Sequence, residues 1–305
     1  MSAVRKDLAF VVATMDRPLL IARLLESLVA QTVVPGEVIV ADGGATLVTD
    51  VCRTPRPFSV RHLACRPPSA SRQRNAGIGA VGPGAAFVGF LDDDILLEPR
   101  AVEAMMAFFD TAPADVGGAA FNMSNHPPLR AARWKCLPLV RLAGMYSRRP
   151  GAVMKSGFQT MIGAVEETVR TGWLPSGAVV WRREALRRLA FDEWFSDYAY
   201  LEDLDFSYRA AKSWTLAVVA EARYTHYPQA SSRLDARRFG NKEVANRLHF
   251  VRKNPELSVG LCRLGLGLRM LMSLADGLAG RDKHGFRRAL GNLDALLQAG
   301  GGRRS

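Results

Sequence analysis

Four apolar runs, LAFVVA (8–13), EVIVADGG (37–44), FSVRHLA (58–64) and AAFVGFLDDD (85–94), constrain this chain most. Between them lie segments such as LLIARLLESLVAQ (19–31) and SASRQRNAGIGAV (69–81), whose apolar residues fall at helical spacing. Serines open the second of these, as suits a helix N-cap. A further helical segment, EPRAVEAMMAFFDTA, follows at 98–112. Strands that alternate with helices predict an α/β fold: a Rossmann-like, mostly parallel sheet with helices on both faces. In such sheets a ligand binds beyond the carboxyl ends of the strands. Three of the runs end there in polar clusters: Thr14-Met15-Asp16-Arg17, Asp42-Gly43-Gly44 and Asp92-Asp93-Asp94. Topology predicts that all three face one crevice.

The triple aspartate needs an explanation of its own. Adjacent carboxylates raise one another's pKa unless a cation sits among them. A solvated turn would tolerate them, but a strand end in an α/β crevice favours a metal site. A departing diphosphate carries heavy negative charge, and Mg²⁺ or Mn²⁺ neutralises it with few protein carboxylates while sharing phosphate oxygens. One aspartate can bind the cation while its neighbour hydrogen-bonds a ribose.

A second acidic cluster, Glu202-Asp203-Leu204-Asp205, heads an amphipathic segment. Acids there complement a helix dipole, and a partly enclosed carboxylate can also take a proton from an attacking hydroxyl. Glu202 or Asp203 is placed toward the pocket, and Asp205 toward Arg209 four residues on. Arg74 and Asn75 lie early in a helix whose N-terminus points at the crevice, an end that favours phosphate. His226 follows the last apolar run, TLAVVAEARYTH, where an imidazole can join a metal site or simply pack.

These stretches, in this order, resemble family 2 glycosyltransferases with the GT-A fold. VVATMDRP, EVIVADGG, SRQRNAGI, FVGFLDDDIL, WLPSGAVVWRREAL, YLEDLDFSYR and RRFGNKEVANRLHFVRKN carry the likeness over about residues 8–254. The resemblance implies an inverting transfer from a nucleoside diphosphate sugar with a divalent cation, Mg²⁺ or Mn²⁺. It implies that Thr14, Asp16 and Arg17 form the first nucleotide-binding turn, that Asp42 reads the base, and that Arg74 and Asn75 line the nucleotide site. Asp93 would sit near the ribose, Asp94 would bind the metal, and Asp92 would support both. Asp203 would be the base and Glu202 its acceptor-side partner. Gly177 would let donor sugar and acceptor meet, and His226 would be a late metal or phosphate contact. Ala13, Met15-Asp16 and the single acid of DGG depart from the family's usual pattern, so the nucleotide stays open.

The expected domains are a catalytic unit over 1–230, with acceptor-side loops at 122–172, then a basic amphipathic helical region at 231–299 and a flexible tail at 300–305. The formal charge of +12 is uneven: residues 231–305 carry 15 Lys/Arg against 6 Asp/Glu, and the first 230 carry 26 against 23. Leu261, Leu264, Leu268, Leu271, Ala275 and Leu278 form one apolar stripe, which either packs on protein or lies on an anionic membrane surface through residues 257–290. Charges within the segment make it a poor transmembrane span. No recognised nucleic-acid module accompanies the basic residues, so no nucleic-acid partner is expected. Cys52, Cys65, Cys136 and Cys262 form no CxxC pair, and the first apolar run is too short for a signal peptide. Free thiols are expected, with the protein cytoplasmic or peripheral on the cytoplasmic face of the inner membrane. The acceptor is expected to be a saccharide or a lipid-linked saccharide.

Three rivals remain. An aspartyl-phosphate phosphatase needs its acid pair after the first strand, whereas this triplet follows the fourth. A nucleotidyltransferase needs a glycine-rich first loop, which TMDRP is not. A non-catalytic nucleotide- or glycan-binding scaffold of the same fold is opposed by the presence of Asp94 and Asp203.

Overall fold

Alternation along the strands puts apolar side chains on both sheet faces. On β1 (Ala3–Thr14), Leu8, Phe10 and Val12 join one core and Ala9 and Val11 the other. A computed structural model describes residues 2–45, 48–129, 137–196, 199–228 and 235–300. Cys136, residues 301–305 and part of the 122–172 stretch lie outside the described residues. The chain divides into two compact units, residues 1–128 with 162–229, and residues 129–161 with 230–305. The stretch 129–161, read from sequence as loops of the catalytic domain, therefore groups with the C-terminal helices.

The first unit is built on one sheet. After β1 come α1 (Pro18–Val29), β2 (Val33–Asp42), α2 (Thr49–Arg53), β3 (Ser59–Ala64), α3 (Ala70–Ala80), β4 (Phe87–Asp92), β5 (Ile95–Leu97), α4 (Ala101–Thr111) and β6 (Val116–Met123). After α5 (Pro138–Leu142), which belongs to the second unit, follow β7 (Val169–Thr171), β8 (Ala178–Arg182), α6 (Arg183–Leu186), α7 (Glu202–Ala210) and β9 (Thr215–His226). Strand order is β3-β2-β1-β4-β8-β6-β9-β5, with β7 also on β9. Neighbours among β3, β2, β1 and β4 are parallel, as are β6 and β9, while β8, β5 and β7 run against their partners. The mostly parallel sheet is as expected.

Helices α1 and α4 cover the first face through Ile21, Leu24, Leu25, Leu28, Val102, Met105 and Phe109. On the other face Phe90, Trp181, Phe191 and Phe206 pack as an aromatic cluster, with Phe191 stacked on Phe206 at 4.1 Å. Strand β6 (VGGAAFNM) escaped the sequence reading because two glycines and two alanines carry little strand preference. Packing explains them: a Cβ on Gly117 or Gly118 would run into the ring of Trp214 or Trp181.

The second unit adds α8 (Ala236–Lys253), α9 (Val259–Leu278) and α10 (Gly285–Gly300). Asp235 caps α8 by accepting from the backbone N–H groups of Arg237 and Arg238. Glycines let α8 and α10 approach closely. A Cβ on Gly240 would strike the Arg288 carbonyl, and one on Gly291 the Arg237 carbonyl. Between these helices the buried Asn292 donates to the Gly240 carbonyl at 2.9 Å, and Arg288 donates to the buried Glu243 at 2.7 Å. Those cationic and amide neighbours hold Glu243 below its ordinary pKa against the opposing effect of burial. Arg247 on α8 lies 4.2 Å over the Phe158 ring and donates to the Gln159 side chain at 2.9 Å, which fastens the 144–161 segment.

Because the Gly240 contact is to backbone, Gly240→Val is expected to destabilise this unit by about 1–3 kcal/mol. Circular-dichroism melts compared with the parent protein would check this. An unchanged melt would mean that α8 and α10 do not approach as described.

Helix α9 continues through Gly265 and Gly267, two residues that weaken a helix in isolation. Tertiary packing makes up the loss: Phe158 and Met145 sit against Gly265. The buried residues of α9 are Cys262, Gly265, Leu266 and Ser273, and the leucine stripe read from sequence is turned away from them. Cys52, Cys65 and Cys262 are buried free thiols.

Candidate active site

Parallel register brings the three polar strand ends together. Thr14 pairs with Asp42 across β1 and β2, and Ala13 with Asp92 across β1 and β4. Asp42 is fully buried. Its Oδ1 accepts from the Gly44 N–H at 2.7 Å, and its Oδ2 lies 3.2 Å from His62 Nε2. Asp16 adopts a left-handed φ of 56°, which aspartate tolerates, and its backbone nitrogen and carboxylate crowd the space beside Gly44.

The three adjacent aspartates have different surroundings. Asp93 is 5% exposed and has both oxygens committed: Thr14 Oγ1 donates to one at 2.7 Å and Arg17 Nη1 to the other at 2.8 Å. Burial raises its pKa despite these donors. The acid predicted near a ribose thus anchors the first turn to the triplet. Asp92 is 40% exposed, its Oδ1 accepting from Arg74 Nη2 at 3.0 Å. Asp94 Oδ1 lies 3.2 Å from His226 Nε2, and the hydrogen bond that the imidazole donates to this carboxylate, opposed by burial, raises the imidazole's pKa. The β5–β9 pairing sets this contact, since Ile95 faces His226 and the Tyr227 N–H donates to the Asp94 carbonyl at 2.8 Å. Gly177 gives its carbonyl to the Asp92 N–H at 2.8 Å, and a Cβ there would fall 2.7 Å from Asp92 Oδ2. The glycine leaves room for this carboxylate.

The second acidic cluster reaches the first through Arg74. This buried guanidinium donates to Glu202 Oε1 at 2.8 Å as well as to Asp92. Burial opposes its charge, yet Glu202 and Asp92 outweigh that and keep its pKa raised. Helix α7 opens from Leu201, held at φ 76°, so that Glu202 and Asp203 begin the first turn. Asp203 Oδ1 accepts from the Leu204 N–H at 2.7 Å. Enclosure pushes both acids up, Asp203 to about 6 and Glu202 to about 7, with Arg74 opposing the shift in each case. Asp205 is fully buried and pairs with Arg209 at 3.0 Å, as their spacing predicts.

Asn75 stands apart from this group. Its amide donates to the Phe191 carbonyl at 2.9 Å, and its Oδ1 accepts from the Phe191 N–H at 2.8 Å. It fastens the loop that precedes α7. Three residues were missed in the sequence. Gln73 donates from Nε2 to the carbonyls of Thr14 and Ala41, both at 2.7 Å, and so ties the ends of β1 and β2. His62 backs Asp42. Tyr224 is buried, and burial, aided by the charges of Asp92 and Asp94, raises its phenol's pKa. A signal for Tyr224 existed: it lies two residues before His226 on a strand and shares its face. Nothing local marks Gln73 or His62.

Among the described residues, no group of three or more His, Cys, Asp or Glu side chains could by itself hold a metal ion. Asp94 and His226 still form a two-member donor set. Such a set fits a Mg²⁺- or Mn²⁺-sized cation that keeps waters and takes phosphate oxygens as further ligands.

The family model for Glycosyltransferase like family 2 matches residues 5–241. No curated protein sequence matches the chain. Among solved structures, the mannosyltransferase PcManGT from Pyrobaculum calidifontis, in complex with GDP-Man and Mn²⁺, aligns with a TM-score of 0.53 at 15% identity. The alignment covers 99% of this chain and 76% of that one. S. aureus TarS 1–349 in complex with UDP-GlcNAc aligns with a TM-score of 0.51 at 14% identity, covering 95% and 89%. Against the longer S. aureus TarS chain the TM-score is 0.50 at 14% identity, and the match spans 93% of this chain but only 55% of that one. At these identities the likeness is one of fold.

Proposed function

The chain belongs to Glycosyltransferase like family 2, and on that premise we propose that it transfers a sugar from a nucleoside diphosphate sugar to an acceptor hydroxyl with inversion. One observation carries the reading. Arg74 joins two acid clusters more than a hundred residues apart, so that the metal-type carboxylates and a base-type carboxylate share one site. A nucleotide-binding scaffold needs only the first cluster. Support for the donor class comes from similar folds that bind UDP-GlcNAc and GDP-Man.

In this reading Thr14, Asp16, Arg17, Asp42 and Arg74 shape the nucleotide site. Asp42, buried between the Gly44 N–H and His62, shapes the base side of the site through those neighbours, and Asn75 keeps the wall formed by the 191 loop in place. Asp93 acts by ordering Thr14 and Arg17. Asp94 and His226 would hold Mg²⁺ or Mn²⁺, which supplies counter-charge for the diphosphate when bound. Asp203 takes the proton of the acceptor hydroxyl as that oxygen attacks the anomeric carbon opposite the diphosphate. Glu202, held by Arg74, stands on the acceptor side, and Gly177 and Asp92 border the donor sugar. A single displacement needs no covalent enzyme intermediate. The acceptor is a saccharide or a lipid-linked saccharide, and a lipid-linked one would bring the protein to the cytoplasmic face of the inner membrane.

The test is thermal stability against UDP, GDP, dTDP and CDP, each with and without Mn²⁺. A ligand at a hundred times its Kd raises apparent stability by about 2.7 kcal/mol. One nucleotide is expected to raise the melting temperature only with the cation, and Asp94→Ala to abolish that rise. A rise that survives in Asp94→Ala would remove Asp94 from the metal site. No rise with any nucleotide would overturn the nucleotide-sugar reading and leave only a glycan-binding scaffold of the same fold.

A further inference from the structure

The two units differ sharply in charge. Residues 129–161 contain seven Lys/Arg and no Asp/Glu, and with residues 230–305 the second unit carries 22 Lys/Arg against 6 Asp/Glu, a net of +16. The first unit then holds 19 against 23, a net of −4. The second unit's described residues alone carry 16 Lys/Arg against 6 Asp/Glu, so the basic excess is not confined to the C-terminal tail.

The same body leaves apolar helix faces uncovered. On α9 the stripe Leu264, Leu271 and Leu278 is 40%, 54% and 78% exposed. On α10 Phe286, Leu293 and Leu297 recur at spacings of seven and four, and are 53%, 40% and 66% exposed. Arg263 on α9 donates to the Ala299 carbonyl at 3.1 Å, while a Cβ on Gly277 would lie 2.7 Å from the Phe286 nitrogen. These contacts fix α9 and α10 as an antiparallel hairpin with a stripe on each arm. Arg281 and Lys283 in its turn and Arg287 in the first turn of α10 are exposed, although Arg287 also pairs with Asp235 at 2.9 Å. Two of the hairpin's three acids are paired with arginine, Asp276 with Arg281 at 3.8 Å and Asp294 with Arg237 at 2.7 Å. Asp282 accepts from the His284 N–H at 2.9 Å. Among the described residues no helix is long and apolar enough to cross a membrane.

We propose that the α9–α10 hairpin docks the second unit on an anionic lipid surface, with its leucine and phenylalanine stripes sunk into the headgroup boundary and its arginines and lysine against the lipid phosphates. Charge selects this occupant. A second copy would bring one strongly basic unit against another, and a nucleic acid would gain nothing from six exposed leucine and phenylalanine side chains. An interface of anionic headgroups over acyl chains satisfies both features at once.

The test is co-sedimentation of the full chain with vesicles of phosphatidylglycerol and phosphatidylcholine, against vesicles of phosphatidylcholine alone. Binding to the anionic vesicles is expected, weakened by salt and at least about fivefold weaker to the neutral ones. A combined Leu271→Ser, Leu278→Ser, Phe286→Ser and Leu297→Ser variant is expected to lose most of that binding and to keep the parent circular-dichroism melt, since all four side chains are exposed. Arg281→Glu with Lys283→Glu should lose it too. Three results would overturn the proposal: no sedimentation with anionic vesicles, full binding by the serine variant, or a dimer by light scattering that the serine variant dissociates. No nucleotide is present in this assay, so its failure would leave the transfer reading untouched.

Discussion

Asp203→Asn is expected to lower kcat for sugar transfer by about 10²–10⁴-fold, the range a positioned general base contributes. Nucleotide affinity should change little, because Asp203 binds through its own helix turn and not through the strand-end cluster. In the parent protein the base must be ionised. Enclosure has raised the pKa of Asp203 to about 6, with Arg74 acting against the rise and Asp92 adding to it. Rate should therefore fall as pH drops through about 6, a higher limb than an ordinary carboxylate would give. Measuring kcat against pH for parent and variant checks both points. A variant that retains parental kcat would move the base elsewhere, with Glu202 next in line.

Arg74→Met is expected to destabilise the protein by about 3–5 kcal/mol, the cost of leaving buried carboxylate charge without its cation. Arg74 is a strong case, because one buried guanidinium answers Asp92 and Glu202 together. Adding Glu202→Gln should recover part of that loss, since it removes one of the stranded charges. Urea unfolding of the parent, both single variants and the double variant would measure the coupling. A loss below about 1 kcal/mol, or strictly additive singles, would mean the bridge contributes little to stability.

Much of this site was legible before any coordinates. Runs such as LAFVVA and FVGFLD can be buried on two faces only in a covered sheet, and parallel strands must end together. Thr14, Asp42 and Asp92 could therefore be placed at one edge from their positions after apolar runs. Asp203 and Glu202 were legible as acids opening a helix, and Asp205 with Arg209 as a one-turn pair. Each of these depends on local spacing.

What was not legible depends on contacts between distant segments. Gln73, Tyr224 and His62 acquire their roles from strands brought alongside them, and β6 is a strand because it pairs with β8 and β9, its glycines leaving room for Trp181 and Trp214. The division of charge was hidden for the same reason. Counted along the chain, residues 1–230 look nearly balanced, but the acid-free stretch 137–161 groups with the helical unit and carries four positive charges with it. Periodicity along the chain settled which elements form and which acids end them, since strand and helix periods are properties of consecutive residues. Tertiary structure alone settled which face of α9 is buried. Cys262, Gly265 and Ser273, small residues that allow close packing, turned inward with Leu266, and Leu264, Leu271 and Leu278 were left outside.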